Sequence, residues 1–246
     1  MTRPRVALVI PTLNEEAAIT GVIAAVPPDA VDQIIVVDSA SSDRTVERAE
    51  AAGAQVINLT ERSYGRACRA GAEAAADCDI VAFLDGDGSD CPELIPTLVA
   101  PITERGYDFA IGSRVRGARE LGSMSPHQLI AGRLLGAAMR LRYGVAYTDM
   151  GPFRVIRRDA LLRLRIREDT NVWNLEMQMR AVSEGLRILE LPVAHRRRTG
   201  GQSKVSGNVR GTLKASWRIL AVFLRIAAER THHGQVALPP SERPLR

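Results

Sequence analysis

Phe83-Leu84-Asp85-Gly86-Asp87-Gly88-Ser89-Asp90 is the stretch that decides how this chain is read. The residues leading into it, 80–84, are apolar without a break, as in a short strand buried on both faces. That run stops at two acids spaced one apart. In open α/β sheets ligands sit beyond the carboxyl ends of the strands, so Asp85 and Asp87 are expected at such a site. Glycines at 86 and 88 let a ligand approach the backbone closely. Two adjacent carboxylates repel each other, and a hard divalent cation shared with a diphosphate relieves that repulsion. The competing reading is a plain polar turn, since short motifs also match by chance. A calcium-loop reading fails, because the twelfth position counted from Asp85 is Pro96 rather than glutamate.

Upstream of this stretch, strands are predicted over 5–10, 31–37 and 55–59, with a fourth at 80–84. Helices are predicted between them, over 15–25, 44–52 and 65–76. Glu15 and Glu16 favour a helix N-terminus, and Gly53 suits the end of the second helix. Strand–helix alternation at this spacing implies a parallel sheet with helices on both faces. Each strand ends in a polar cluster, at 12–15, 38–43 and 85–90, and the three are expected to converge at one rim. The loop after the first strand, Pro11-Thr12-Leu13-Asn14-Glu15-Glu16, is not a Gly-x-Gly-x-x-Gly loop, and no Gly-Lys-Thr phosphate loop occurs. Phosphate is therefore expected to be held by metal and by basic side chains.

The chain has 246 residues, of which 46% are hydrophobic and only 4% aromatic, so aliphatic residues and alanine must fill the core. That length suits one large domain or two small ones. A formal net charge of +5 favours anionic partners. Nucleic acid is disfavoured, because the basic residues are not interleaved with stacking aromatics. Cys68, Cys78 and Cys91 form neither a disulfide framework nor a zinc pattern. They read as buried free thiols, and a cytoplasmic location is expected. No signal-peptide pattern is visible, and no apolar run approaches a membrane span.

Downstream, a strand is predicted over 107–112. A basic loop follows it, with Arg114, Arg116 and Arg119 suited by their planar multi-donor heads to phosphate. The helix predicted over 124–142 carries Gly132, Gly136 and Ala137, where another helix or a lipid chain could approach. A loop at 149–154 enters a strand through residue 156, and Asp149 is placed either to position an acceptor or to cap the turn. A helix is expected from 171 to about 185, with Trp173 in the core, then a strand over 186–192. His195 is read as a surface residue in a basic run. Arg198 and Lys204, bracketed by Gly200, Gly201 and Gly207, form a cationic loop able to close over pyrophosphate. Over 209–229, Val209, Leu213, Trp217, Leu220 and Leu224 recur at helical spacing beside Arg210, Lys214 and Arg218. Such a helix either lies in a membrane interface or packs on the domain. Residues 231–246 read as a disordered tail.

Several of these segments together resemble glycosyltransferases of family 2, which have the GT-A fold. They are Val9-Ile10-Pro11-Thr12-Leu13-Asn14-Glu15-Glu16, Ile35-Val36-Val37-Asp38-Ser39, Leu84-Asp85-Gly86-Asp87-Gly88, Ala110-Ile111-Gly112-Ser113-Arg114, Asp149-Met150-Gly151-Pro152-Phe153-Arg154 and Arg198-Thr199-Gly200-Gly201-Gln202-Ser203-Lys204. The similarity is strongest to the polyprenyl- or dolichyl-phosphate mannosyl- and glucosyltransferases. It implies a Rossmann-like, mostly parallel sheet over 1–208, followed by the amphipathic helix at 209–230 and the tail at 231–246. It also implies that Pro11, Leu13, Glu15, Val37 and Asp38 hold the base and ribose of a UDP- or GDP-hexose. Asp85 and Asp87, with Gly86 between them, correspond to the acidic pair that holds Mg2+ or Mn2+ on the diphosphate. Arg114 and Asp149 are implied at the substrate, and Asp87, Glu176, Arg198 and Lys204 in the transfer itself. Glu176 is expected to act as a base for a hydroxyl acceptor, or to orient a phosphate acceptor that needs little base help. Where the polyprenyl-phosphate mannose enzymes usually have glutamine two positions after the second acid, this chain has Ser89.

The function expected from this is an inverting, metal-dependent hexosyl transfer to a polyprenyl phosphate, by a cytoplasmic protein that touches the inner face of the membrane and could self-associate. The same donor chemistry directed at a soluble phosphorylated metabolite or a glycan hydroxyl is the alternative. A non-catalytic anion binder is the remote one.

Overall fold

The computed structural model describes residues 3–145, 147–200 and 209–229, with His127 and residues 209–216 described by their backbone alone. Seven strands form one sheet: β1 (Val6–Thr12), β2 (Gln33–Ser39), β3 (Gln55–Leu59), β4 (Ile80–Phe83), β5 (Phe109–Ser113), β6 (Arg154–Arg157) and β7 (Ile188–Pro192). Their order is β3-β2-β1-β4-β6-β5-β7. The first four strands are parallel, as the alternating pattern predicts, and β5 pairs in parallel with β7. The strand β6 is antiparallel to both of its neighbours. Its first residue, Arg154, stands opposite Phe83 at the end of β4. The chain therefore enters β6 from the rim where β4 stops, and the segment 149–153 is held beside Asp85 and Asp87.

The helices are α1 (Ile19–Ala24), α2 (Thr45–Ala51), α3 (Tyr64–Ala74), α4 (Ile95–Arg105), α5 (Pro126–Tyr143), α6 (Arg158–Leu164), α7 (Trp173–Ser183) and α8 (Val209–Ala228). Neither α4 nor α6 is foreseen from the sequence. Helix α4 starts from a 3-10 turn at Pro92–Leu94 and carries Pro101 in its interior. Proline in a helix interior removes a hydrogen bond, so this segment does not read as helical in sequence.

Alternation along the central strands divides the core in two. Ala7 and Val9 of β1, with Phe83 and Ile111, face a cluster that includes residues of α3, α5, α6, α7 and α8. Leu8 and Ile10, with Ala82 and Ala110, face the cluster that holds residues of α1 and α4. Trp173 belongs to the first cluster, its ring 5.1 Å from that of Phe83, so its core assignment holds. All three cysteines are free and buried.

The helix at the end of the described chain does pack on the domain. Val222 and Ile226 of α8 are buried in the first cluster, and Arg142 at the end of α5 donates to the Ala227 carbonyl at 2.9 Å. Its other face, with Trp217, Leu220 and Leu224, is exposed. Gly136 of α5 is a packing glycine, not a lipid slot, because a Cβ there would collide with the Tyr147 carbonyl oxygen. The tail at 231–246 and Lys204 lie outside the described residues.

Because Trp173 fills the space under β4, its truncation leaves a cavity that the sheet cannot close. Trp173→Ala is expected to cost about 3–5 kcal/mol of unfolding free energy. Urea denaturation followed by far-UV circular dichroism measures this.

Candidate active site

The three polar strand tips converge at one rim, and hydrogen bonds join the first two. Thr12 at the end of β1 donates to the Asp38 carboxylate at 3.2 Å, and the Glu15 amide donates to the Thr45 hydroxyl at 2.8 Å. These contacts tie the first loop to the second. A cavity of about 590 Å³ opens at this rim, within the usual range for small-molecule sites. Pro11, Leu13, Glu15, Asp85, Gly86, Asp87, Arg114 and Arg198, all named in the sequence as candidate site residues, line it.

The turn after β4 is the floor. The Asp85 carboxylate accepts a hydrogen bond from the Tyr64 hydroxyl at 3.0 Å, and the Asp85 amide donates to Asp90 at 3.1 Å. Asp87 is nearly buried and accepts from the Ser89 amide at 2.9 Å through one oxygen. Its other oxygen meets the Arg198 guanidinium at 2.6 Å. Gly88 has φ +79°, and a Cβ there would collide with Thr199, so glycine is required twice over. The segment carrying Arg198 is stitched onto this turn by backbone bonds, Arg196 amide to Ser89 carbonyl and Thr199 amide to Asp87 carbonyl.

Crowding of carboxylates has an electrostatic consequence. The Asp85 carboxyl is pushed up to about 8, mainly by loss of water around it and then by the charges of Asp87 and Asp90. Tyr64 is raised well above the usual phenol range by burial and by Asp85, so it stays protonated and donates. Since its one proton goes to Asp85, Tyr64 accepts from the Asn174 side-chain amide at 3.5 Å.

Arg114 reaches the cavity from the end of β5, and Asp149 holds it there. The pair is bidentate, Nε to Oδ2 at 2.7 Å and Nη2 to Oδ1 at 2.8 Å, and the Arg114 amide adds a third bond at 2.9 Å. Burial alone would raise the Asp149 pKa, but its bonds with Arg114 win and hold it below the usual carboxylate range. Asp149 itself does not line the cavity. The structure shows Asp149 bracing Arg114, a role distinct from the acceptor-positioning and turn-capping ones expected of it.

Other expected site residues fall elsewhere. The Val37 side chain lies in the core, and the Asp38 carboxylate is taken up by Thr12, the Ser41 hydroxyl and the Ser41 amide. Glu176 is fully buried and does not line the cavity. Its carboxylate accepts from the Arg167 and Glu168 amides and from Arg180, and faces Arg225 at 3.4 Å. Glu176 thus organises an ion network under α8 and does not face the reacting atoms. On α7, the residues lining the cavity are reduced to Asn174.

His195 is not a surface residue. It is buried, its amide bonds to the Ala118 carbonyl, and its Nδ1 stands 3.7 Å from Asp90 Oδ1. Neither of those two atoms has a hydrogen-bond partner. Tyr64, Asn174 and Asp90 were also not singled out as site residues in the sequence. Asp90 alone carried a signal, as the third acid of the turn.

The comparisons with known proteins agree with this geometry. The sheet order and the acidic turn beyond β4 define a GT-A glycosyltransferase fold. The family model for glycosyl transferase family 2 matches residues 7–165, and the chain belongs to that family of glycosyltransferase enzymes. An uncharacterized glycosyltransferase of Mycobacterium tuberculosis is 37% identical over 225 residues, covering 90% of this chain and 100% of the relative. An undecaprenyl-phosphate mannosyltransferase of Micrococcus luteus is 30% identical over 224 residues, covering 84% and 90%. A dolichyl-phosphate hexose transferase of Haloferax volcanii is 33% identical over 198 residues, covering 79% and 84%. Among solved structures, the fold is similar to glucosyl-3-phosphoglycerate synthase of Mycobacterium tuberculosis in complex with Mn2+, UDP and glucosyl-3-phosphoglycerate. The TM-score is 0.73 at 23% identity, covering 97% of this chain and 82% of that one.

The raised Asp85 pKa means that the folded protein holds this proton more tightly than the unfolded chain. The resulting stability is complete below the ordinary value of 3.8 and is lost as pH rises through about 8. In chelator, Asp85→Asn is therefore expected to raise the melting temperature at pH 8.5 and to change it little at pH 4. Differential scanning fluorimetry across that range is the check. A variant less stable than wild type at pH 8.5 would contradict the crowding.

Proposed function

We infer that this chain is an inverting, metal-dependent hexosyltransferase that moves a hexose from a nucleotide diphosphate sugar to a polyprenyl phosphate. One observation carries the reading. Two carboxylates, Asp85 and Asp87, and two arginines, Arg114 and Arg198, line one cavity at the carboxyl rim of the sheet. Among the described residues no group of three or more His, Cys, Asp or Glu side chains stands ready to hold a metal ion. That suits Mg2+ or Mn2+ bound through one or two carboxylates, with the remaining ligands coming from diphosphate and water. Such an ion supplies Lewis-acid stabilisation of the charge that grows on the departing diphosphate.

The chain's own groups divide the remaining work. Pro11, Leu13 and Glu15 form the wall next to β1, where the nucleoside is read. Arg114, braced by Asp149, offers fixed donors to phosphate. Arg198, which lies against Asp87 at the cavity, would offer its charge to the diphosphate. Lys204, on the same stretch of chain, is assigned to the same anion. An acceptor phosphate oxygen attacks the anomeric carbon as the bond from that carbon to the diphosphate oxygen breaks, with inversion. The acceptor is already anionic, so no proton has to be removed. This fits a site in which α7 presents the amide of Asn174 and turns Glu176 away. Two relatives are named for polyprenyl-type phosphate acceptors, which supports a lipid acceptor and work at the inner face of the membrane.

A soluble phosphorylated acceptor is the second reading, favoured by the likeness of fold to glucosyl-3-phosphoglycerate synthase. Four arginines line the cavity, at 62, 66, 114 and 198, and they suit either phosphate.

The test combines UDP-, GDP- and dTDP-hexoses, with Mg2+ or Mn2+, and three acceptors: a short-chain polyprenyl phosphate in detergent, 3-phosphoglycerate and an oligosaccharide. Transfer to the polyprenyl phosphate is expected, and Asp87→Ala should lower it by about 100-fold or more. Transfer to phosphoglycerate alone would remove the lipid half of the reading. Full transfer by Asp87→Ala in saturating metal would remove the metal site. Glu176→Gln should reduce stability more than turnover, because it uncouples a buried ion network at a cost of about 3–5 kcal/mol.

A further inference from the structure

Exposed large apolar side chains are not scattered over this protein. Of the eight among the described residues, three lie on α5 (Ile130, Leu134 and Leu141) and three on α8 (Trp217, Leu220 and Leu224). On α5 the spacing of four and then seven residues places all three on one stripe. Ala137, also exposed, lies on the same stripe. On α8 the spacing of three and then four does the same, opposite the face that buries Val222 and Ile226. The buried faces of both helices belong to the same core cluster, so the two lie in one layer on the same side of the sheet. The Arg142 bond to the Ala227 carbonyl ties their C-terminal ends together.

The charge on these helices has one sign. The sequence of α5 contains Arg133, Arg140 and Arg142, that of α8 contains Arg210, Lys214, Arg218 and Arg225, and neither contains an acid. Arg133 and Arg140 are exposed and fall on one flank of the α5 stripe. On α8, Arg218 and Arg225 are half exposed and also pair with Glu168 and Glu176, so the border of the ridge is net cationic, with Arg133 and Arg140 as its exposed charges on α5. An apolar ridge with such a border matches the boundary between acyl chains and anionic headgroups. A second copy of the same face would bring like charges together. The face also adjoins the cavity. The chain runs into α5 from Arg114 and into α8 from Arg198, both cavity residues. Met150 lines the cavity and also the small space beneath α5 formed with Gly132, Leu135 and Met139.

We propose that α5 and α8 together form a docking face for an anionic lipid bilayer, with α5 an equal partner to the C-terminal helix. Its purpose rests on the lipid acceptor read above, and its chemistry does not. Docking on this face sets the Arg114 and Arg198 loops beside the headgroup layer, where a polyprenyl phosphate presents its anion. Attachment by this face is salt-sensitive, because part of the attraction is between exposed charges.

The test is flotation of the full chain with vesicles of phosphatidylglycerol and phosphatidylcholine, at low and high salt. Two variants are compared with wild type, Leu134→Glu/Leu141→Glu on α5 and Trp217→Glu/Leu220→Glu on α8. All four positions are exposed, so the fold should survive, and melting temperature and nucleotide-diphosphate affinity are measured to confirm it. Wild type is expected to float at low salt. Either pair should lower recovery by about tenfold or more, and high salt should act in the same direction. Flotation of the α5 variant at the wild-type level overturns the proposal. So does a wild-type protein that stays unbound and is a dimer that either pair splits, since the face is then a self-interface. Detergent assays with polyprenyl phosphate separate this from the acceptor reading. Variants that transfer normally in detergent but do not float support the docking face. A wild type that floats but never uses polyprenyl phosphate leaves the face standing and removes the acceptor reading.

Discussion

Three carboxylates packed at the end of one strand set the terms for this structure. Asp85, Asp87 and Asp90 sit within a six-residue turn beyond β4, and all are largely withdrawn from water. Such an arrangement is unfavourable unless each charge is neutralised, shared or hydrogen-bonded. The surrounding elements supply that compensation one acid at a time. Asp85 accepts a hydrogen bond from the Tyr64 hydroxyl at the start of α3. Asp87 receives Arg198 from beyond β7. Asp90 accepts the Asp85 amide and faces buried His195.

That compensation is also what makes the turn usable. In the Arg198 pair with Asp87 the acid is nearly buried and the arginine is partly open to water. Arg114 is different. It is largely buried and bidentate on Asp149, which fixes its guanidinium in place. The site therefore contrasts a buried, braced cation with a more exposed one, both lining one cavity. On the reading proposed above, Asp85 and Asp87 would hold the divalent ion, whose charge would offset the crowding of their carboxylates.

Much of this was legible in the sequence because it depends on local patterns. Apolar runs ended by polar clusters mark β1, β2 and β4, and the resulting convergence of 12–15, 38–43 and 85–90 follows from parallel winding alone. What escaped depends on long-range packing. Glu176 looks like a catalytic acid on a helix, but a helix presents a different face every residue, and the facing residue is Asn174, two positions earlier. His195 sits in a run of three arginines that reads as surface, yet its bridge to Arg119 and its approach to Asp90 bury it. Helix α4 was hidden by Pro101 and α6 by its shortness. The antiparallel entry of β6, which places Asp149 under Arg114, has no local sign at all.

The central claim is that the acidic turn is completed by a divalent cation and a diphosphate together. Isothermal titration of a nucleoside diphosphate into wild type, with and without Mn2+, and into Asp87→Ala tests it most directly. The account predicts binding to wild type at least about tenfold tighter with metal, a coupling of about 1.4 kcal/mol or more, and none in the variant. Equal affinity in wild type with and without metal would contradict it.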